Sequence, residues 1–142
     1  MNQTNIYQKI QVIQANFKEG IKKAKENKFQ KYKYFDENSI LAQLKPHLET
    51  EKLLLIFSDE TNNPFSFHSE KVEKEWVVKY LKKMMIINAE NPEQQLTFNF
   101  WACGQNTDLA KAKGSAETYA VKYFLQKFFL IPTSENLDPD RK

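Results

Sequence analysis

The sequence contains few of the residues from which nucleotide-binding and metal sites are usually built. It has only three glycines among 142 residues, and neither Gly-x-x-x-x-Gly-Lys-Ser/Thr nor Gly-x-Gly-x-x-Gly occurs. A glycine-rich loop that cradles phosphates is therefore excluded, and with it an ATP-driven mechanism that depends on such a loop. The single cysteine, Cys103, has no partner for an internal disulfide, as is usual in reducing compartments.

No set of polar residues has catalytic or metal-binding spacing. The two histidines, His47 and His68, lie far apart and have no neighbouring cysteine, so exposed polar positions explain them better than zinc ligation does. Two pairs of carboxylates lie in predicted loops, Asp59 with Glu60 and Asp138 with Asp140. Acidic residues are common in turns, so these pairs need no metal to explain them. We therefore expect neither catalysis nor a bound cofactor or metal.

The chain also lacks a long apolar stretch. No run approaches the roughly 18 consecutive apolar residues that suggest a membrane span. Residues 2–5 are polar, unlike the apolar core of a signal peptide. These features predict a cytoplasmic protein without a membrane partner. The length fits one domain, which we place at residues 1–133, followed by a polar tail at residues 134–142.

The formal net charge is only +3, but the lysines are concentrated in one region. Residues 18–33 contain seven lysines and two glutamates, which gives +5 in sixteen residues. Arg141 is the only arginine. Lysine presents a point charge rather than a planar fork, so it suits attraction of a phosphate backbone better than reading of base edges. Binding of nucleic acid would therefore be without sequence specificity.

Hydrophobic periodicity predicts two helices in the first third of the chain. Apolar residues recur at steps of three and four over residues 5–26. A shorter helix, begun by Asp36 or Asn38, is expected to kink or break at Pro46. Between the two helices, residues 28–35 alternate basic and aromatic side chains, which indicates a strand or an extended loop.

From residue 52 onward the pattern changes to period two or to short apolar runs, which is typical of β-strands. Turn-rich pieces separate apolar segments at residues 53–57, 65–67, 76–87 and 96–101. We interpret them as an antiparallel meander with about three main strands, although residues 75–89 also fit helical spacing. A helix over residues 112–130 follows. The predicted fold is α+β, with helices packed on one face of a sheet.

Two segments have features that suit single-stranded nucleic acid. In residues 28–35, lysines can attract phosphates and aromatic rings can stack on bases, which contributes about 1–3 kcal/mol per base. The candidate residues are Lys28, Lys31, Tyr32, Lys33 and Tyr34. The alternative is that these aromatic side chains are core anchors at a junction between helix and sheet.

The second segment surrounds Gly114, at the start of the last predicted helix. Small residues there would let the helix approach another backbone or a phosphate, and a helix N-terminus favours anions. The candidate phosphate contacts are Lys111, Lys113 and Lys122. The alternative is tight packing of the helix on the sheet, with solvated lysines outside, through Ala116, Ala120, Tyr123 and Phe124.

The run Gly114-Ser115-Ala116-Glu117-Thr118-Tyr119-Ala120-Val121-Lys122-Tyr123 resembles the signature of the ERF (essential recombination function) family of phage single-strand DNA annealing proteins. The spacing of Ile40, Leu44, Pro46 and Leu48 is also similar to that family, as is the ending Phe129-Leu130-Ile131-Pro132-Thr133.

The resemblance implies a homo-oligomeric ring or helix whose β-meander-plus-helix core is like that of eukaryotic annealing proteins. Such a protein anneals single-stranded DNA in the bacterial host cytoplasm without ATP or metal. Residues 28–34 would supply the groove through Lys28, Lys31, Tyr32, Lys33 and Tyr34, while Lys111, Lys113 and Lys122 would face phosphates. A phage exonuclease or a host single-strand-binding protein are further candidate partners. The main alternative is a small phage accessory or inhibitor protein that binds other proteins, and a metal-dependent nuclease has the least support.

Overall fold

The computed structural model describes residues 4–17 and 37–132. Within these ranges the chain forms three helices and four strands, namely α1 (Ile6–Asn16), α2 (Glu37–Glu51), β1 (Leu53–Asp59), β2 (Phe67–Val72), β3 (Glu75–Asn88), β4 (Gln95–Asn106) and α3 (Leu109–Phe128). A 3-10 turn, Pro64–Ser66, precedes β2. The predictions for the basic–aromatic segment at residues 28–35 and for the tail at residues 134–142 lie outside the described residues.

Helix α1 begins at Ile6 because Asn5 caps it. The Asn5 side chain accepts a hydrogen bond from the Gln8 amide at 2.9 Å, and the Gln8 side chain accepts one from the Asn5 amide at 2.8 Å. The isoleucines of α1, at steps of three and four, are buried. α1 ends at Asn16 and Phe17 is not helical, so the helix predicted over residues 5–26 is confirmed in its first part but does not continue unbroken beyond Asn16. The part from residue 18 onward lies outside the described residues.

Helix α2 continues through Pro46 to Glu51. The break predicted at the proline is therefore wrong. Pro46 is exposed, on the side of α2 opposite the buried Ile40 and Leu44. A proline inside a helix removes one backbone hydrogen bond. At an exposed position water can satisfy the carbonyl group that loses its partner.

Strand β3 is the central strand of an antiparallel four-stranded sheet. β4 pairs with one side of β3 over twelve residues. β1 and β2 lie end to end along the other side, since Asp59 of β1 faces Lys82 and Phe67 of β2 faces Tyr80. The prediction of a strand at residues 75–89 is confirmed by β3, and the helical alternative for these residues is wrong. The sheet has four strands rather than about three because β2 extends well beyond the predicted segment at residues 65–67.

All three helices pack against the same face of the sheet. Alternate residues of a strand point to opposite faces, and the side chains of Met84 and Ile86 are buried in one core cluster with residues from α1, α2 and α3. The opposite face carries exposed apolar side chains at Leu54, Ile56 and Trp101. The predicted α+β arrangement, with helices on one face of the sheet, is therefore confirmed.

Candidate nucleic-acid interface on the third helix

Helix α3 begins at Leu109, three residues earlier than the sequence predicted, because Asp108 caps it. The Asp108 carboxylate accepts a hydrogen bond from the Lys111 amide at 3.1 Å. Gly114 therefore lies in the second turn, where amides bond to carbonyls four residues earlier. The helix does not start beside Gly114, so the expected anion pocket of free amides there is wrong. A phosphate contact in this region depends on lysine side chains instead.

A group of charged side chains lies between α3 and the sheet, and we call it the Lys82 cluster. Lys82 is 3% exposed, and its ammonium lies 2.7 Å from Asp59 Oδ1 and 2.7 Å from Glu117 Oε2. The Lys113 ammonium lies 2.8 Å from Asp59 Oδ2. The Tyr80 hydroxyl donates a hydrogen bond to Glu117 Oε1 at 2.8 Å. Two cations and two anions thus neutralise one another where β1, β3 and α3 meet.

The Lys82 cluster stabilises the charged forms of Asp59 and Lys82 and the neutral form of Tyr80. Burial raises the pKa of Asp59, but hydrogen bonds and charges from Lys113 and Lys82 outweigh it and bring that pKa below its ordinary value. Burial lowers the pKa of Lys82, but Asp59 and Glu117 raise it further than burial lowers it. Burial and the bond to Glu117 both raise the pKa of Tyr80. The charged Asp59 and Lys82 and the neutral Tyr80 therefore join α3 to the sheet near neutral pH.

The Lys82 cluster also determines the charge of the outer surface of α3. Glu117 is the only acidic residue within α3, and its two carboxylate oxygens are bonded to Tyr80 and Lys82. The outward side of α3 is a stripe that spans about 24 Å along the helix. This outer stripe comprises Lys111, Ser115, Tyr119, Tyr123 and Lys127 at steps of four, with Lys122 beside the tyrosines. Each step of four residues turns by about 40° around the axis, so the stripe winds by about 160° from Lys111 to Lys127. The outer stripe is therefore cationic and has no carboxylate of its own.

Two tyrosines lie at the middle of the outer stripe. Tyr119 is 53% exposed and Tyr123 is 56% exposed. Their rings are within 11° of parallel, with centroids 6.4 Å apart. The Lys122 ammonium lies 5.0 Å from the Tyr119 centroid and 4.7 Å from the Tyr123 centroid. The alternative of tight packing on the sheet is confirmed for Ala116, Ala120 and Phe124. It is wrong for Tyr123, whose ring faces outward.

The described residues include three of the eight predicted site residues. Lys111 and Lys122 lie on the outer stripe, whereas Lys113 is 40% exposed and its ammonium pairs with Asp59. The structure therefore does not place the three lysines in one pocket. The other five predicted residues lie outside the described ranges, namely Lys28, Lys31, Tyr32, Lys33 and Tyr34.

Sequence reasoning missed three residues of the outer stripe, Tyr119, Tyr123 and Lys127. Their four-residue spacing was the available signal, because residues four apart lie on the same side of a helix. The aromatic character of Tyr123 suggested a core position, and only the buried neighbours Val121 and Leu125 show which side of the helix faces the sheet.

The remaining candidate groups, the two histidines, each have a local partner, and the His47 ring centroid lies 4.9 Å from that of Phe17. The His68 ring lies 3.3 Å from Glu70 on β2, where both side chains are exposed. Within residues 4–17 and 37–132, no three residues of the metal-binding types histidine, cysteine, aspartate and glutamate lie close enough to hold a metal ion. The helices of the same ranges are too short or too polar to cross a membrane.

The fold and this surface define a class: an α+β protein whose last helix covers an antiparallel sheet and presents lysine and tyrosine side chains outward. A family model described as the ERF superfamily matches residues 6–142, which is nearly the whole chain. The chain belongs to the ERF superfamily. Membership in this family implies binding of DNA and suggests a role in recombination. Searches of curated proteins and of solved structures found no match.

Proposed function

We propose that this protein binds single-stranded DNA and anneals complementary strands, without ATP, in phage homologous recombination. The observation that carries the proposal is the separation of charge on α3. The only carboxylate of the helix bonds to Tyr80 and Lys82, whereas the outer stripe keeps lysines and exposed aromatic rings. A cationic track with flat side chains is what binding of single strands without sequence preference requires.

Lysines of the outer stripe attract the phosphate backbone, and DNA displaces counterions as it binds. Lys111 and Lys127 lie near the two ends of α3, and Lys122 lies between them. In this proposal Lys113 also faces phosphate from the edge of the Lys82 cluster. Lys28, Lys31, Tyr32, Lys33 and Tyr34 are proposed to bind the strand as well. Binding should therefore weaken steeply as the salt concentration rises.

Annealing requires no covalent chemistry. The protein holds a strand by its phosphates and leaves the pairing edges of the bases accessible, so that a complementary strand can form base pairs. Repeated copies of the chain would extend one cationic track from subunit to subunit, and for this reason we propose that the active form is a homo-oligomeric ring or helix in the host cytoplasm. A phage exonuclease that exposes single strands would supply the substrate.

The proposal can be tested with a triple variant that removes charge from the outer stripe, Lys111→Gln with Lys122→Gln and Lys127→Gln. Lys74→Gln is a matched control, because Lys74 is an exposed lysine in the turn between β2 and β3. We expect the natural protein to bind single strands more tightly than duplex and to accelerate pairing of complementary oligonucleotides. The triple variant should lose both properties and keep its fold by circular dichroism. Equal weak binding of single strands and duplex by the natural protein would contradict the proposal.

A second candidate function is that of a small accessory or inhibitor protein that binds another protein. The face of the sheet opposite the helices favours it, because Leu54 and Ile56 are about half exposed there and Trp101 is 68% exposed. Sedimentation with and without a single-stranded oligonucleotide separates the two functions. A monomer whose sedimentation is unaffected by DNA would favour the protein-binding role.

A further inference from the structure

We propose that Tyr119 and Tyr123 form a stacking platform for an unpaired nucleobase, with Lys122 holding the adjoining phosphate. This inference rests on the proposed binding of single-stranded DNA and assigns to it a base-contacting site. The two rings and the ammonium of Lys122 are hereafter called the tyrosine platform.

The exposure of the platform first requires an explanation. Two aromatic side chains more than half exposed, one turn apart on a helix, leave apolar ring surface in water. Neighbouring aromatic residues of α3 are placed differently, since the ring of Phe124 stacks on that of Phe100 with centroids 4.1 Å apart. The helix therefore has an inward position for aromatic residues and nevertheless carries two tyrosines outward.

The two rings of the platform lie nearly parallel to each other. Residues four apart on a helix are neighbours, and the near-parallel arrangement of the two rings uses that spacing. The Lys122 ammonium lies within cation–π distance of both rings and further restrains them. A ligand that stacks on these rings loses less free energy in immobilising them than it would with freely rotating side chains.

A nucleotide matches the platform better than a protein surface does. It consists of a flat base joined through one sugar to an anionic phosphate, and the platform places aromatic rings beside a cation. Lys111 and Lys127 lie toward the two ends of the winding outer stripe, so a strand that follows the stripe around α3 passes both of them. Because aromatic stacking tolerates any base, the platform adds affinity without sequence preference.

The test compares two probes of equal length, a thymidine oligonucleotide and the same backbone with abasic sites. The platform variant is Tyr119→Ala with Tyr123→Ala, and its conservative counterpart is Tyr119→Phe with Tyr123→Phe. Trp101→Ala is the control, since it removes a more exposed aromatic ring from the opposite face of the sheet. Fluorescence anisotropy at one fixed salt concentration gives the affinity of each variant for each probe.

We expect the natural protein to bind the thymidine probe about 5- to 150-fold more tightly than the abasic probe. The double alanine variant should lose most of this ratio and bind the abasic probe as before, while the double phenylalanine variant and Trp101→Ala should keep the ratio. The proposed platform would be contradicted if the double alanine variant kept the natural ratio of affinities, or if its affinity for both probes fell equally. It would also be contradicted if Trp101→Ala abolished the ratio. Failure of the natural protein to bind either probe would instead overturn the proposed function.

Discussion

The backbone of Gly104 on β4 directly contacts the backbone of Ala116 on α3. A Cβ atom at Gly104 would lie 2.7 Å from the Ala116 amide nitrogen and 2.7 Å from the Ala112 carbonyl oxygen. Ala112 and Ala116 are themselves fully buried. Helix and strand therefore lie too close together here for a Cβ atom, and no flexible side chain lies there to give way.

We predict that Gly104→Ala destabilises the fold by about 3 kcal/mol, because the added methyl group forces α3 away from the sheet. Urea unfolding followed by circular dichroism measures the effect. The shift of α3 should also disturb the Lys82 cluster, which joins the same helix to the sheet. If the variant and the natural protein had the same midpoint of urea unfolding, the contact would be able to relax without loss of stability.

Gly114 provides the opposite case on the same helix. A Cβ atom placed there meets nothing within 4 Å, and the backbone has no positive φ at this glycine. Gly114→Ala should therefore stabilise the protein by about 0.5–1 kcal/mol, because alanine loses less conformational entropy than glycine in a helix. The measurement is the same urea titration, and a loss of stability would contradict the prediction.

Lys82 should be much more sensitive to substitution than an exposed lysine of the same strand. Its replacement by glutamine leaves Asp59 and Glu117 close together without their shared cation. We expect a loss of about 3 kcal/mol, near the lower limit for breaking a buried ion pair, because both carboxylates keep partial contact with water. The control is Lys79→Gln, on the open face of the same strand, where a change within about 0.5 kcal/mol is expected. Equal effects of the two substitutions would contradict this role of the cluster.

The Lys82 cluster also predicts a dependence of stability on pH. The pKa of Asp59 is lower in the folded protein than its ordinary value, so the unfolded chain takes up a proton at a higher pH than the folded chain. The stabilisation is complete above the ordinary pKa of about 4 and is lost as the pH falls through the lower folded pKa. Urea unfolding at about pH 7 and about pH 3 measures this loss.

Asp59→Asn is the comparison that isolates Asp59. Glu60 and Glu90 also have lowered pKa values, through the Asn62 amide and the Lys9 ammonium respectively, and they contribute their own losses in acid. The natural protein should therefore lose more stability between the two pH values than Asp59→Asn does. Identical losses would show that Asp59 contributes nothing to the pH dependence.

The parts of the fold that depend on local pattern were predictable from the sequence. The isoleucines at the start of α1 and the alternating apolar residues of β3 are regularly spaced, because one side of each element is buried. The sequence pattern predicts the start of α3 three residues too late, because the spacing of apolar residues does not show that Asp108 caps the helix. The length of β2 was underestimated since all six of its residues are exposed, which removes the alternation on which strand prediction relies.

The site was less predictable because its partners are distant in sequence. Asp59, Lys82 and Glu117 come from three different elements, and nothing in their separate contexts shows that they meet. Because the sequence does not show that these three side chains are in contact, it cannot show that Glu117 faces inward from α3. It also cannot show that Lys113 pairs with a carboxylate. The lysine content of α3 could be read directly, but the cationic character of its outer stripe depends on tertiary contacts.

The salt dependence of DNA binding should distinguish the lysines of α3 from one another. For single strands, each phosphate contact contributes about 0.7 to the slope of log affinity against log salt. Lys111→Gln and Lys127→Gln should each reduce the slope by about that amount, and Lys122→Gln should reduce it as well. Lys113→Gln should reduce it less, because Asp59 already neutralises the Lys113 ammonium at 2.8 Å. Anisotropy titrations at several salt concentrations between about 50 and about 200 mM give the four slopes. Unchanged slopes for all four variants would place the DNA elsewhere on the protein, whereas an equal reduction for Lys113→Gln would show that its ammonium leaves Asp59 when DNA binds.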